Sequence, residues 1–179
     1  MQVIAGMFRG RKLISAEQGT RPTLTRIKES LFSIIADRIN GSVVLDLFAG
    51  SGALGIECIS RGAKKTYLVD KSSDAIKVIK RNTDRMSNFE IIQKDYLQAL
   101  DYFKGKTKFD LVFIDPPYNS DMGEKSVEKI IKSGLLSDDG LIIFEHLTEK
   151  YLQSIDDLYI ITRSKQYGDK TIDFIVEDK

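Results

Sequence analysis

The sequence predicts an α/β fold: a Rossmann-like, doubly wound sheet of seven strands, mostly parallel with an antiparallel last strand, preceded by an N-terminal β-hairpin and a helix. Three observations lead there. Short aliphatic or β-branched runs alternate with stretches of helical period. The first of these runs passes straight into a glycine-rich turn, and the last two are joined by too few residues for a helical crossover. With 179 residues, the chain can bury about 70% of the surface its unfolded form would expose. That supports a single domain over 1–179, made of a basic N-terminal extension, 1–28, and a Rossmann-like body, 29–179.

In chain order, residues 3–15 read as a hairpin, and the helix after it rests on Ile27, Leu31, Ile34 and Ile35, which share one face. Strands are predicted at 43–47, 66–69, 90–93, 111–114, 141–145, 159–163 and 171–176. The first four are expected to be buried on both faces, because Val-Val-Leu and Leu-Val-Phe-Ile are continuous runs without polar alternation. Between the second and third strands, Ala75, Ile76, Ile79 and Thr83 lie on one helical face, with Ser72 or Ser73 as N-cap and Asp74 in the first turn. Residues 165–170 are too few for a crossover, so the last two strands form an antiparallel hairpin turning at Tyr167-Gly168.

Composition narrows the function classes. The chain is 42% hydrophobic and 30% charged, which excludes a disordered tail or a highly basic coating protein. Its single cysteine, Cys58, cannot close an internal disulfide and reads as a small core residue. The start, MQVIAGMFRGRKL, carries charge by Arg9 and lacks the apolar run of a secretory signal. No apolar stretch approaches the roughly 18 residues of a membrane span. The expectation is a cytoplasmic monomer without a membrane partner or a metal site.

The net charge of +1 averages two unlike parts. Residues 1–28 hold Arg9, Arg11, Lys12, Arg21, Arg26 and Lys28 against Glu17 alone, which is +5 and leaves −4 for residues 29–179. A basic segment on a mildly acidic body reads as a site for phosphates, nucleic acid above all, or else as a solvated hairpin with ordinary surface charge.

Val43-Val44-Leu45-Asp46-Leu47-Phe48-Ala49-Gly50-Ser51-Gly52-Ala53-Leu54-Gly55 reads as the first strand running into a glycine-rich turn and then a helix, and Asp70 ends the next strand twenty positions after Gly50. Glycines 50, 52 and 55 satisfy G-x-G-x-x-G, so the loop alone does not separate a nicotinamide or flavin enzyme from one that binds another adenosine cofactor. Asp46 discriminates. A carboxylate at that strand end is poorly placed beside a pyrophosphate and suits a cofactor carrying cations. S-adenosylmethionine has an α-ammonium and a sulfonium and no phosphate. In that reading Asp46 faces the ammonium side and Asp70 accepts the ribose hydroxyls. Asp95, in Gln93-Lys94-Asp95-Tyr96-Leu97, suits an adenine amino group, the N-cap of a helix over residues 96–103, or both.

Asp115-Pro116-Pro117-Tyr118 follows the strand at 111–114. Two consecutive prolines donate no backbone hydrogen bonds, so the chain leaves the sheet with its carbonyls free as acceptors. Asp115 adds a carboxylate and Tyr118 a ring that can stack on a nucleobase for about 1–3 kcal/mol. Such a site grips an exocyclic amine and localises its lone pair for in-line attack on a methyl group. Because charge is lost in that transition state, positioning matters more than acid–base chemistry.

These motifs resemble a class I, Rossmann-like methyltransferase and, more narrowly, the RsmD family of 16S ribosomal RNA guanine-N2 methyltransferases. The resemblance includes Val3-Ile4-Ala5-Gly6 with Arg9-Gly10-Arg11-Lys12-Leu13, Arg21-Pro22-Thr23 with Glu29-Ser30-Leu31-Phe32, and Tyr167-Gly168. Gln2 and Thr25 stand where the family commonly has Arg and Asp, and Asp70 replaces the usual Glu. The resemblance implies S-adenosylmethionine held by Asp46, Phe48, Gly50, Ser51, Gly52, Asp70, Asp95 and Tyr96. It implies methyl transfer at Asp115, Pro116, Pro117 and Tyr118 to a guanine of 16S rRNA or the small ribosomal subunit. Arg9, Arg11, Lys12, Arg21 and Arg26 are then the residues expected to hold RNA phosphates while the guanine is turned out of its stack. An amine methyltransferase for adenine N6, a nicotinamide oxidoreductase and a non-catalytic RNA-binding assembly factor are the alternatives. His146, the single histidine, is placed at a strand end as a pocket-lining residue.

Overall fold

The computed structural model describes residues 1–15, 22–118, 120–149 and 158–178. Among them lie helices α1 (Pro22–Ile34), α2 (Ala36–Ile39), α3 (Ala53–Ser60), α4 (Ser73–Asn82), α5 (Tyr96–Phe103) and α6 (Met122–Lys132). The strands are β1 (Val43–Asp46), β2 (Lys65–Asp70), β3 (Phe89–Gln93), β4 (Phe109–Ile114), β5 (Leu136–Leu147), β6 (Tyr159–Tyr167) and β7 (Lys170–Glu177). They form one sheet in the order β3-β2-β1-β4-β5-β7-β6. Strands β1 to β5 pair in parallel, whereas β7 is antiparallel to both β5 and β6.

Every predicted strand is present, and the hairpin turns at Gly168-Asp169. The last strand folds back into the sheet between β5 and β6, leaving β6 at the edge with most of its residues exposed. Burial on both faces holds for β1 and β4 but not for β3, where only Ile92 is buried. That strand is the opposite edge, which a polar residue such as Glu90 tolerates.

Alternation along the central strands divides the core. Val44, Leu111, Phe113 and Ile143 face α1, α2 and Cys58 of α3; Leu45, Val112, Ile114 and Ile142 face α5 and α6. Of the predicted helical face, Ile27, Leu31 and Ile35 are buried and Ile34 is half-buried; Ala75, Ile76 and Ile79 of α4 and its C-cap, Thr83, are buried as expected. The caps follow the local rules: the Ser72 hydroxyl accepts the Ala75 amide, and Asp95 Oδ1 accepts the Leu97 amide at 3.0 Å. Helix α1 carries the chain across residue 28, where the basic extension was set apart from the body.

The N-terminal segment folds back on itself as a short hairpin, with one antiparallel bridge, Gln2 to Lys12, and the Val3, Gly10 and Leu13 amides donating to the Arg11, Val3 and Met1 carbonyls. Other amides of the segment are taken by the body. Ile4 and Ala5 donate to Glu57 at 2.9 and 3.0 Å, and Met7 and Phe8 donate to the Ser60 carbonyl and hydroxyl. Val3 and Leu13 pack on Ile56 of α3. Further on, the Asn82 side chain accepts the Ile14 amide and donates to the Ile14 and Ser51 carbonyls, fastening the segment to the glycine loop.

Candidate active site

From β1 the chain winds outward to β2 and β3, and from β4 it winds the other way to β5, so the loops after β1 and β4 part at the C-terminal ends of the strands. That is where an open parallel sheet binds its ligand. A cavity of about 530 Å³ fills this crevice, within the range of small-molecule and cofactor sites.

Its walls come from four loops. Phe48 and Gly50 follow β1; Asp70 and Lys71 close β2; Lys94, Asp95 and Tyr96 join β3 to α5; Asp115, Pro116, Pro117 and Tyr118 follow β4. Nine predicted site residues therefore share one cavity, with the Phe48 and Tyr96 rings 5.5 Å apart on one side. Lys71 and Lys94 were missed. The position beside each strand-end acid faces the same crevice, but lysine is too common a surface residue to stand out.

Asp46, Ser51 and Gly52 do not line the cavity. The Asp46 carboxylate is buried, and its Oδ2 accepts the Gly55 amide at 2.9 Å. It is turned under the loop into the first turn of α3 instead of outward to a ligand. Burial pushes its pKa up to about 7, against the Gly55 hydrogen bond; nearby Asp70 raises it further and Lys28 lowers it. Gly52 caps α3 at φ +78, a left-handed conformation natural to glycine. A Cβ on Gly55 would come within 2.3 Å of Leu68 and 3.3 Å of Asp46, so the helix approaches the sheet closely only because that residue is glycine. Asp70 also works within the chain, accepting the Gly50 amide at 2.9 Å and the Ser72 amide at 2.8 Å.

Asp115 is exposed at the end of β4, while Pro116 is buried. The Pro117 carbonyl, expected to be free, accepts the Ser120 hydroxyl at 2.6 Å because the turn into α6 brings that side chain back. The Tyr118 hydroxyl donates to Glu145 Oε1 at 2.6 Å. Lys170 contacts the same hydroxyl, pairs with Glu145 at 2.8 Å and lies 4.5 Å from the Tyr118 ring centroid.

His146 borders a second small cleft with Pro116, Pro117 and Tyr118. The ring is buried, with Nε2 2.9 Å from Asp173 and Nδ1 2.8 Å from the Leu147 carbonyl. Burial disfavours its charge, but these two acceptors outweigh that and raise its pKa above the ordinary value. Cys58 is fully buried, which pushes its thiol pKa well up.

Among the expected RNA contacts, Arg9, Lys12 and Arg26 are exposed. Arg11 donates to the Asp84 carbonyl at 2.7 Å, and Arg21 lies outside the described residues. Lys28, counted with the basic segment, is buried 3.0 Å from fully buried Glu57, in poor hydrogen-bond geometry, and Arg61 holds the other Glu57 oxygen at 2.8 Å. Burial lowers the Lys28 pKa; for Glu57, the Lys28 charge and the Ile4 amide overcome burial and hold its pKa low. Nothing in the pattern Ala53-Leu-Gly-Ile-Glu-Cys-Ile-Ser60 singled out Glu57 as an anchor. Tyr167 and Ser30, from two separate motifs, meet through a 2.6 Å hydrogen bond.

A parallel sheet with an antiparallel strand inserted near its end, and a cofactor-sized crevice finishing in Asp-Pro-Pro-Tyr, define a methyltransferase of the Rossmann-like class. A family model described as conserved hypothetical protein 95 matches residues 1–176. The Bacillus subtilis protein YlbH is 37% identical over 174 residues, covering 94% of each chain. Ribosomal RNA small subunit methyltransferase D of Haemophilus influenzae is 36% identical over 155 residues, 84% of this chain and 79% of its own. The structure of yhhF from Escherichia coli aligns with a TM-score of 0.89 at 27% identity, covering 99% of this chain and 98% of that one. This chain belongs to the conserved hypothetical protein 95 family, the RsmD family that its motifs resemble.

Proposed function

We propose that this chain methylates the exocyclic N2 amine of a guanine in 16S rRNA, using S-adenosylmethionine, and that it acts on the small ribosomal subunit as a single-domain cytoplasmic monomer. The observation that carries this reading is one cavity bounded by Asp70, Asp95 and the Phe48–Tyr96 rings on one side and by Asp115 to Tyr118 on the other. A cofactor pocket and an amine-gripping loop thus open into the same space. When bound, S-adenosylmethionine supplies an electrophilic methyl group on a sulfonium.

The residues suit that cofactor better than a dinucleotide. The amides of Gly50, Gly52 and Gly55 all donate within the chain, to Asp70, Ala49 and Asp46. A pyrophosphate would have to compete with those acceptors and face the Asp70 carboxylate. Asp70 keeps lone pairs for ribose hydroxyls beyond the two amides it accepts. Asp95 combines its capping role with a place on the cavity rim for an amino group. On the far wall, Asp115 and the loop carbonyls accept from the target amine, and Tyr118 supports its base. Arg9, Lys12 and Arg26 supply exposed cations for RNA phosphates, joined in this reading by Arg11 and Arg21.

Thermal unfolding with S-adenosylmethionine or NAD tests the cofactor. A ligand at 100 times its Kd stabilises by about 2.7 kcal/mol. S-adenosylmethionine is expected to raise the Tm and NAD to leave it unchanged. Asp115→Ala should keep that shift and lose methyl transfer; undiminished transfer overturns the role given to Asp115.

A further inference from the structure

We propose that Glu145 and Lys170 are positioning residues that hold the Tyr118 ring for stacking on the target base. The proposal rests on the amine-methylating reading of the cavity and adds to it two residues remote in sequence. Glu145 lies on β5 and Lys170 opens the neighbouring antiparallel β7, where it pairs in register with Leu147. Their side chains meet at 2.8 Å and are both largely buried. From this pair, Glu145 takes the Tyr118 hydroxyl at 2.6 Å, and the Lys170 ammonium contacts the same hydroxyl at the outer end of the ring, 4.5 Å from its centroid.

The consequence is geometric. A hydroxyl fixed at one end and a backbone fixed by two prolines at the other leave the ring little freedom to rotate. Tyr118 lines the cavity, so the ring held in this way is offered to a base there. A loop that sets an amine for in-line attack tolerates little error, and a ring held in advance removes the need to order it on binding.

Steady-state methyl transfer to undermethylated small subunits, with cofactor binding measured separately, tests the proposal on Tyr118→Phe, Glu145→Gln, Lys170→Met and Lys170→Arg. Tyr118→Phe keeps the ring and loses the anchor. We expect it, Glu145→Gln and Lys170→Met each to lower kcat/KM for the subunit about tenfold while leaving the cofactor Kd within twofold. The Tyr118→Phe/Glu145→Gln double variant should be no worse than either single one, and Lys170→Arg should restore most of the loss. Wild-type rates in all the single variants, or additive losses in the double variant, overturn the positioning role. Absence of transfer by the wild-type chain overturns the functional reading itself, so the two failures are distinct. An increased rate in Lys170→Met would show that the ammonium holds the ring away from the base and would overturn the positioning role.

Discussion

The Asp46 carboxylate accepts the Gly55 amide at 2.9 Å beneath the glycine loop, tying the end of β1 to the first turn of α3. The third glycine of the motif thus donates an internal contact through its amide and is required to be glycine by the space around it. Gly55→Ala would drive a methyl group into Leu68, Thr66 and Asp46. Overpacking of this kind costs about 1–3 kcal/mol, and each kcal/mol lowers the Tm of a chain this size by roughly 2–4 °C. Thermal unfolding should show a drop in that range, with weakened cofactor binding because the loop moves.

The same carboxylate makes stability depend on pH. Its pKa is raised in the folded state to about 7 from an ordinary 3.8, so the folded chain binds the proton more tightly than the unfolded one. The stabilisation is fully present below about pH 4 and is lost as pH rises through about 7, a span worth on the order of 4 kcal/mol. Asp46→Asn, which still accepts the Gly55 amide, should flatten the pH dependence between 4 and 7 in urea titrations. An unchanged profile would show that the carboxylate is not the titrating group.

Glu57 joins the N-terminal segment, α1 and α3. Glu57→Gln removes a buried charge and leaves Lys28 buried without its partner, a change that costs about 3–5 kcal/mol. The N-terminal segment should become sensitive to protease, since its Ile4 and Ala5 amides lose a charged acceptor. Replacing both partners, Glu57→Gln with Lys28→Met, should recover much of the stability, because the buried charge is then gone. A double variant as unstable as Glu57→Gln alone would contradict the ion-pair account.

If Arg9, Arg11, Lys12, Arg21 and Arg26 all meet phosphates of single-stranded RNA, log affinity falls with log salt at a slope of about −3.5. Arg9→Ala and Lys12→Ala should each reduce the magnitude of that slope by about 0.7. Arg11→Ala has a second effect, because its guanidinium also fastens the segment to the Asp84 carbonyl. A slope near zero in filter binding would contradict an RNA role for this surface.

Local patterns foretold the features that local physics decides. Continuous apolar runs located the seven strands, Ser72 and Asp95 capped the helices as their positions imply, and two prolines ended β4 where the crevice opens. What escaped depended on partners distant in the chain. Asp46 is turned under the loop because the Gly55 amide meets its carboxylate there. The hairpin at residues 3–15 pairs only briefly, and its Ile4, Ala5 and Phe8 amides go to Glu57 and Ser60, more than fifty positions away. The Tyr118 site is completed from β7, and no spacing in the sequence announces that β7 lies against β5 ahead of β6.

The central claim is that one cavity brings a methyl donor to an amine of ribosomal RNA. Incubating the chain with radiolabelled S-adenosylmethionine and small subunits lacking modification, then digesting the RNA to nucleosides, tests it most directly. The account predicts label in N2-methylguanosine from 16S rRNA. Label in N6-methyladenosine would contradict the assigned base, and no label in RNA at all would contradict the function.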